Sequence, residues 1–479
     1  MIPVSARWRR VFDLVLGTGI VQGASILTNI LLARWLPQFE YGSYRQLFLL
    51  NQLLWAIGFS AIPTALMYFA SRVDGAAAVA AVIRKHLALV AVIAVVPAGI
   101  LALLPAAVAA LFDNPSLEGL LPLFAPYPAA YMFHSLVATV LVTLGRTARL
   151  PIYMSAIALL NSVAVLLTAY LTADLRLVIA AASLAAVLGA GGALALMLAL
   201  SRGAGVAGVR IREIAVYAVP LLLASGISVL GLRFDQFAVA HALGTAMFAV
   251  YAVGALELPL YSLLKSGSTA ALMPEIAAAV RVHDWSAVLS VWHDLMRKNA
   301  ALVLPLSAAL VVFAEDFITV LFGEAYRPAA PVFAIFSLLG PVRTVTFGLI
   351  LRALGRTSLD FAAAAAFLLF VALAIGPAIR LAGLMGAAIT VVSATALVAL
   401  LLVFLTVRAS GGRIRGWQLY PPRYLVGYAA LLGAFYALRL VLDLAAASAV
   451  VHLTIAGLCA AALSFVQLRG VHRITSMLR

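Results

Sequence analysis

The sequence predicts an all-α polytopic membrane protein with about 14 transmembrane helices, two six-helix bundles followed by two further helices. Three observations lead there. Of 479 residues, 65% are hydrophobic and only 10% are charged, well outside the mix of soluble globular domains. Apolar runs of at least ~20 residues, long enough to cross ~30 Å of hydrocarbon, recur along the whole chain. Short sequence echoes about 207 to 210 residues apart indicate a duplicated half.

The first run, 11–36, carries Thr18, Gln22, Ser25, Thr28 and Asn29 at steps of three and four, hence on one helical face. Lipid cannot hydrogen-bond that face, so it points at other helices or at water inside the protein. The polar hairpin Pro37-Gln38-Phe39-Glu40-Tyr41-Gly42 leads into a second run, 43–70. Further runs follow at 86–111, 119–144, 152–172 and 177–200, completing a first bundle over 1–205. Runs at 214–242, 246–272, 299–321, 329–353, 359–379 and 382–407 make a second bundle over 206–410. The last two, 423–443 and 448–468, have no counterpart and make 411–479 an appended pair.

The duplication shows in short matches. Arg34 to Tyr44 (RWLPQFEYGSY) lines up with His241 to Tyr251 (HALGTAMFAVY). Leu111-Phe112 recurs as Leu321-Phe322, and Leu144-Gly145-Arg146-Thr147 as Leu354-Gly355-Arg356-Thr357, both at one common offset. Each bundle holds an even number of spans, so both enter from the same side and the repeat is parallel.

A net charge of +15 could suggest nucleic acid, but its distribution is topological. Basic residues gather on alternate turns, among them Arg72, Arg84, Lys85, Arg146, Arg149, Arg202, Arg210, Arg212, Arg408, Arg413 and Arg415. The opposite turns carry Asp113, Glu118, Glu315, Asp316 and Glu324. This asymmetry places both termini in the cytoplasm. Arg7, Arg9 and Arg10 precede a run too long and too polar for a signal peptide, so it reads as a retained first span. The single cysteine, Cys459, gives no disulfide framework and no Cys-based metal site. There is no G-x-x-x-x-G-K-[ST], HExxH, CxxC or acidic cluster. Neither an enzyme nor a cofactor is expected, and transport must draw on an H+ or Na+ gradient, the membrane potential or cargo supply.

The longest segment outside the membrane is about 274–298. It is amphipathic, with Trp285, Val288, Leu289, Trp292, Leu295 and Met296 on one face, and reads as a connector resting on the membrane with its tryptophans at headgroup level. Pro63, Pro97, Pro126, Pro128, Pro220, Pro259, Pro305 and Pro341 fall within spans and are candidate kinks.

Charges inside spans cost about 2.5–3.5 kcal/mol each on insertion scales, so they point to function or pairing. Arg233 and Glu257 flank Thr245 at equal distance, which puts both near mid-membrane. They read either as an anion-holding Arg with a competing or proton-accepting Glu, or as a structural ion pair. Asp235 is two residues from Arg233 and therefore faces elsewhere. Lys265 lies near a cytoplasmic end and can snorkel, whereas Arg343 sits mid-span beside Pro341. His134, in the matching part of the fourth span, is titratable. The candidate substrate-binding residues are thus Arg233, Arg343 and Lys265, and the candidate ion-coupling residues Glu257 and Asp235. Basic groups outnumber acidic ones, which favours an anionic cargo.

The segment LLARWLPQFEYGSYRQL at 31–47 resembles the signature of the polysaccharide-biosynthesis flippases of the multidrug/oligosaccharidyl-lipid/polysaccharide (MOP) exporter superfamily. Arg34, Leu36, Glu40, Tyr41, Gly42 and Tyr44 carry the match. Phe234-Asp235-Gln236 through Gly244 to Tyr251, and Leu272-Met273-Pro274, are similar to the corresponding motifs of the second half. The resemblance implies a MATE/MOP-like fold in the bacterial inner membrane. It further implies outward flipping of an undecaprenyl-pyrophosphate-linked oligosaccharide, with proton or sodium coupling and with polysaccharide polymerase or glycosyltransferase partners. Lipid II flippases of the superfamily line their cavity with arginines in helices 1, 2 and 8. Here helix 1 has no mid-span Arg and helix 2 only Arg45, near its outer end. The competing functions are a cation-coupled multidrug exporter and a non-transporting membrane scaffold of a polysaccharide synthase.

Overall fold

The structure is a computed structural model. It describes residues 4–477 apart from Ala207, and the side chains of 17–469 apart from Ala224, Lys265, Ser266 and 268–271. Among the described residues there are helices and turns but no strand, as lipid demands of a chain whose backbone must satisfy itself.

Two compact units emerge. The first comprises Met1–Arg233 with Leu243–Ala249, the second Phe234–Ala242 with Val250–Arg479. The helices of the first unit are α1 (Val4–Trp35), α2 (Gln38–Gly58), α3 (Ile62–Ala70), α4 (Ala76–Leu103), α5 (Pro105–Ala110), α6 (Leu121–Phe124), α7 (Pro126–Thr143), α8 (Leu150–Thr172) and α9 (Leu175–Leu200). Helix α10 (Ile211–Gly254) runs through both assignments. The second unit continues with α11 (Pro259–Arg281), α12 (Trp285–Val312), α13 (Ala314–Phe322), α14 (Ala330–Ser337), α15 (Leu349–Ala353), α16 (Thr357–Ala409), α17 (Gly416–Leu419), α18 (Arg423–Leu444) and α19 (Ala449–Met477).

Among the described residues ten helices are long and apolar enough to cross a membrane, or eleven if the bent pair Glu324–Ser337 and Val342–Ala353 is one span. The chain is a multi-pass membrane protein. Two of the ten are pairs of helices run together across a kink, α10 at Gly244 and α16 at Ala382 and Gly383. The spans drawn from the sequence divide close to the same two kinks. Gly244 has φ +80°, a conformation costly for any residue with a Cβ.

With lipid as apolar as leucine, helices associate through close packing of small residues. Helix α1 lies along α8, and Gly17 permits it: a Cβ there would come within 2.8 Å of the Pro151 Cα. The core of the first unit gathers Phe59, Ile62, Leu66, Val82, Val90 and Met132. In the second unit α12 is the central element, packed on α11, α14, α18 and α19. Tyr428, Phe435 and Leu442 of α18 and Ala456 and Ala460 of α19 share one cluster with Ala300, Leu304 and Ala308 of α12. The C-terminal pair is thus part of the second unit's core.

The amphipathic connector takes a different form from the one expected. Trp285 begins α12, one continuous helix to Val312. Trp292 is 1% exposed and its indole N–H donates to the Leu419 carbonyl at 2.8 Å. The apolar face meets protein, with Ile414 and Leu419 in the same cluster, rather than lipid headgroups. The candidate kinks also sort themselves. Pro63, Pro126 and Pro259 occupy first turns, where a missing N–H is harmless. Pro97 and Pro305 lie inside α4 and α12, and Pro220 inside the first arm of α10.

Candidate functional site

Two interruptions in the second unit bring charged groups together. The first lies between α10 and α11. Gly254 ends α10 against α14, where a Cβ would meet the Val332 side chain at 2.6 Å and the Ala329 carbonyl oxygen at 2.9 Å. Leu258 is extended at φ −70°, ψ 136°, as a residue before proline prefers, and Pro259 restarts the helix. Glu257 sits in this gap.

The second interruption separates α14 from α15. The two arms are bent by 62°, and Gly340-Pro341 occupy the corner, where proline removes an N–H and glycine admits a neighbour. Carbonyls freed by the break find side-chain donors. Ser307 Oγ donates to the Ser337 carbonyl at 2.6 Å, and lies 2.8 Å from the Tyr428 hydroxyl. Tyr420 donates to the Pro341 carbonyl at 3.0 Å and Thr344 Oγ1 to the same oxygen at 2.8 Å. Asn299 Nδ2 donates to the Thr344 carbonyl at 2.9 Å. Helix α12 and the C-terminal segment therefore hold the break open, satisfying backbone groups that hydrocarbon would leave bare.

Arg343 lies inside this break, on the 3-10 turn Val342–Thr344 rather than mid-helix. Its guanidinium packs 4.4 Å from the Tyr261 ring centroid, and Nη2 is 3.8 Å from Glu257 Oε1. Exposure is unequal: 19% for the Arg343 side chain and 61% for Glu257. The guanidinium is fixed by protein, whereas the carboxylate is loosely engaged and open. Glu257 was expected opposite Arg233; the ion pair it makes in the second unit is with Arg343.

Asp235 is in a contrasting setting. It is 5% exposed and accepts from the Tyr251 hydroxyl at 2.7 Å, a bond that spans the Gly244 turn. The motif running from Asp235 to Tyr251 is thus a pair of residues in contact. Beside the same turn, in the first unit, Gln46 Nε2 donates to Thr245 Oγ1 at 3.4 Å, and Asn114 Nδ2 donates to Gln46 Oε1 at 2.7 Å and to Ser43 Oγ at 3.0 Å. The first hairpin has its own tie: Asn29 Oδ1 accepts from Arg45 at 2.8 Å and from Tyr41 at 3.3 Å. Arg45 is thereby drawn to the polar face of α1.

Of the other sequence candidates, Arg233 is half-buried on α10 and closes the first unit's continuous stretch. Lys265 belongs to α11 and its side chain lies outside the described residues. His134 is half-buried on α7 with its ring edge-on to Tyr131 at 4.8 Å. Sequence reasoning missed Tyr261, Asn299, Ser307, Tyr420 and Tyr428, ordinary residue types whose role appears only when the break forms. Among the described residues no cluster of His, Cys, Asp and Glu could hold a metal ion.

Comparison with solved structures places this architecture. The chain is similar to the lipid II flippase MurJ in an inward closed conformation, with TM-score 0.69 at 12% identity, covering 97% of this chain and 99% of that one. It is similar to a multidrug resistance MATE family transporter of the MOP superfamily in an inward-facing conformation, with TM-score 0.66 at 14% identity over 81% and 94% of the two chains. A Vibrio cholerae MATE transporter gives TM-score 0.57 at 13% identity over 86% and 97%. At such identities the likeness establishes the fold, which is MATE/MOP-like. No curated protein matches the sequence. The family described as polysaccharide biosynthesis protein matches residues 31–331, a stretch holding the first hairpin, the Asp235–Tyr251 turn and Glu257, and to that family the chain belongs.

Proposed function

We propose that the protein is a secondary transporter that moves an undecaprenyl-pyrophosphate-linked oligosaccharide from the cytoplasmic to the outer leaflet of the bacterial inner membrane, with both termini in the cytoplasm. The observation that carries this reading is the Arg343–Glu257 contact. A guanidinium held at a helix break by an aromatic face and a long 3.8 Å carboxylate contact is ready to exchange partners. A diphosphate offers it shorter, charge-assisted and bidentate hydrogen bonds, and the displaced Glu257 is then free to take a proton or a sodium ion. Arg233 and Lys265 add anion contacts, and Asp235 is a second coupling carboxylate. Binding of anion and coupling ion thus share one residue pair, a minimal exchange device for alternating access. Polymerase or glycosyltransferase partners would supply and consume the cargo.

The test is reconstitution of the purified chain into proteoliposomes with labelled undecaprenyl-pyrophosphate-sugar. Wild type is expected to move the label without partner proteins, Arg343→Ala to lose movement, and Arg343→Lys to keep part of it. Equal rates in wild type and Arg343→Ala would remove the assigned site. Absence of movement by a folded wild type favours a scaffold of a polysaccharide synthase. The open carboxylate of Glu257 favours one second reading, cation-coupled multidrug export. Efflux of cationic dyes that depends on Glu257 but not on Arg343 would select it.

A further inference from the structure

The end of the first unit where α3 finishes and α4 begins gathers basic groups from two distant stretches of the chain. Residues 71–85 and 201–213 carry Arg72, Arg84, Lys85, Arg202, Arg210 and Arg212 against only Asp74 and Glu213. Packing holds the two stretches together. The Gly205 N–H donates to the Ala77 carbonyl at 3.0 Å, and the Lys85 ammonium donates to the Val209 carbonyl. Val73, Ala204 and Val209 rest on the same apolar core. Tyr68 of α3 stacks on Tyr217 of α10, with ring centroids 4.3 Å apart, and the Arg72 guanidinium lies over the Tyr68 ring at 4.1 Å. An arginine resting on a ring keeps its in-plane N–H donors available for an anion.

The excess charge has no answer within the protein. Arg72, Arg84, Arg202, Arg210 and Arg212 are all exposed, and among the described residues none of these five guanidiniums has an ion-pair partner. The Glu213 carboxylate accepts from the Arg210 backbone N–H at 3.4 Å. Two helix N-termini add to the positive potential. Helix α4 starts at Ala76 behind Gly75 with no side-chain cap, and α10 starts at Ile211.

Depth selects the kind of anion. The stretches border the ends of four helices long and apolar enough to cross a membrane, Gln38–Ala70, Ala76–Leu103, Leu175–Leu200 and Ile211–Gly254. Groups just beyond such ends lie at headgroup level, where lipid phosphates are concentrated. Val206, in the same stretch as Arg202 and Arg210, is 96% exposed. Acyl chains can cover an apolar side chain at that level, and a soluble anion cannot.

We infer that Arg72, Arg84, Arg202, Arg210 and Arg212 form a binding site for the headgroup of an anionic phospholipid. The site fastens the 201–210 segment to the membrane surface on the side where the charge asymmetry puts the cytoplasm. It shares no residue with the Arg343 break and does not depend on what the protein transports.

The experiment uses the full chain and native mass spectrometry, with phosphatidylglycerol and phosphatidylcholine as probes. Wild type is expected to take its first phosphatidylglycerol far more tightly than phosphatidylcholine, and added salt should narrow the difference. Each arginine neutralised should weaken that first binding about fivefold, and Arg72→Gln/Arg210→Gln/Arg212→Gln together about a hundredfold. Arg408→Gln/Arg413→Gln, which removes basic groups of the second unit, should leave it unchanged. Melting in phosphatidylcholine nanodiscs checks that the variants are folded, and Arg212→Gln alone serves if the triple variant is not. Equal losses in the two sets would show a diffuse charge effect and overturn the site. Displacement of the lipid by millimolar inorganic phosphate would assign the arginines to a soluble anion and overturn the lipid, as would equal affinity of wild type for the two lipids.

Discussion

The Tyr251 hydroxyl donates to Asp235 Oδ2 at 2.7 Å, joining the two arms of α10 across the Gly244 turn. A hydrogen bond to a buried carboxyl oxygen is worth about 0.5–3 kcal/mol, the upper part of that range when the acceptor is charged. Tyr251→Phe is therefore expected to lower stability by about that amount, measured as thermal unfolding in detergent or nanodiscs. Asp235→Asn should cost less, because the amide oxygen still accepts. Equal stability of Tyr251→Phe and wild type would show that the turn is held by other contacts.

Gly42 is the second specific demand. A Cβ at that position would lie 2.3 Å from the Thr245 carbonyl oxygen and 2.8 Å from its Cγ2. The nearest atom is backbone and cannot rotate away. Gly42→Ala should destabilise by about 1–3 kcal/mol, the usual cost of overpacking. Gly23→Ala, on an open face of α1 with no atom within 4 Å, should be neutral or slightly stabilising. The comparison of the two melting midpoints is the check, and matching values would refute the close-approach reading.

The break around Arg343 predicts a compensating pair. A Cβ on Gly340 would fall 2.1 Å from Ser307 Oγ and 2.5 Å from its Cβ. Gly340→Ala alone should be severely destabilising, and Ser307→Ala should cost about 1 kcal/mol for the lost hydrogen bond. Ser307→Gly combined with Gly340→Ala removes the colliding side chain and should recover much of the loss, giving favourable coupling in a double-mutant cycle. Additive losses would place the strain elsewhere.

Asp284 offers a pH prediction outside the membrane. Its carboxylate caps α12, accepting from the Ala287 N–H at 3.0 Å and from the Ser286 hydroxyl at 2.7 Å. Those bonds, the backbone one first, hold its pKa below the ordinary aspartate value. The cap is therefore complete above the ordinary aspartate range and is lost as the pH falls through the lowered value. Hydrogen exchange at the Ala287 amide should stay slow down to that point and then quicken. In Asp284→Ala it should be fast throughout, and Asp284→Asn, a comparable cap, should stay slow and lose the pH dependence. A wild-type Ala287 amide whose protection factor equals that of Asp284→Ala at every pH would show the cap to be absent in solution.

Much of the fold was legible in the chain because lipid leaves few options. Long apolar runs can only be helices there, and the gaps at 243–245 and 380–381 fall beside the kinks at Gly244 and at Ala382 and Gly383. The motif residues Gly42, Asp235 and Tyr251 stood out before their reasons did. Gly42 proved to be a point of close approach, and Asp235 and Tyr251 to be bonded partners.

Other features were invisible in one dimension. Periodicity shows that 285–298 has an apolar face but not whether that face meets lipid or protein, since both are apolar; only the packing of α12 against residues 414–419 decided for protein. Equal spacing about Thr245 suggested Arg233 for Glu257, but spacing along a helix carries no information about which span folds alongside. The 62° bend after α14 brings Arg343 to that carboxylate. Composition and charge asymmetry determined by themselves that this chain crosses a membrane many times, because burial of apolar surface is a local property of each run. Which polar groups meet inside it was set by the tertiary structure alone, because a buried charge takes its partner from whatever distant segment the broken helices bring within reach.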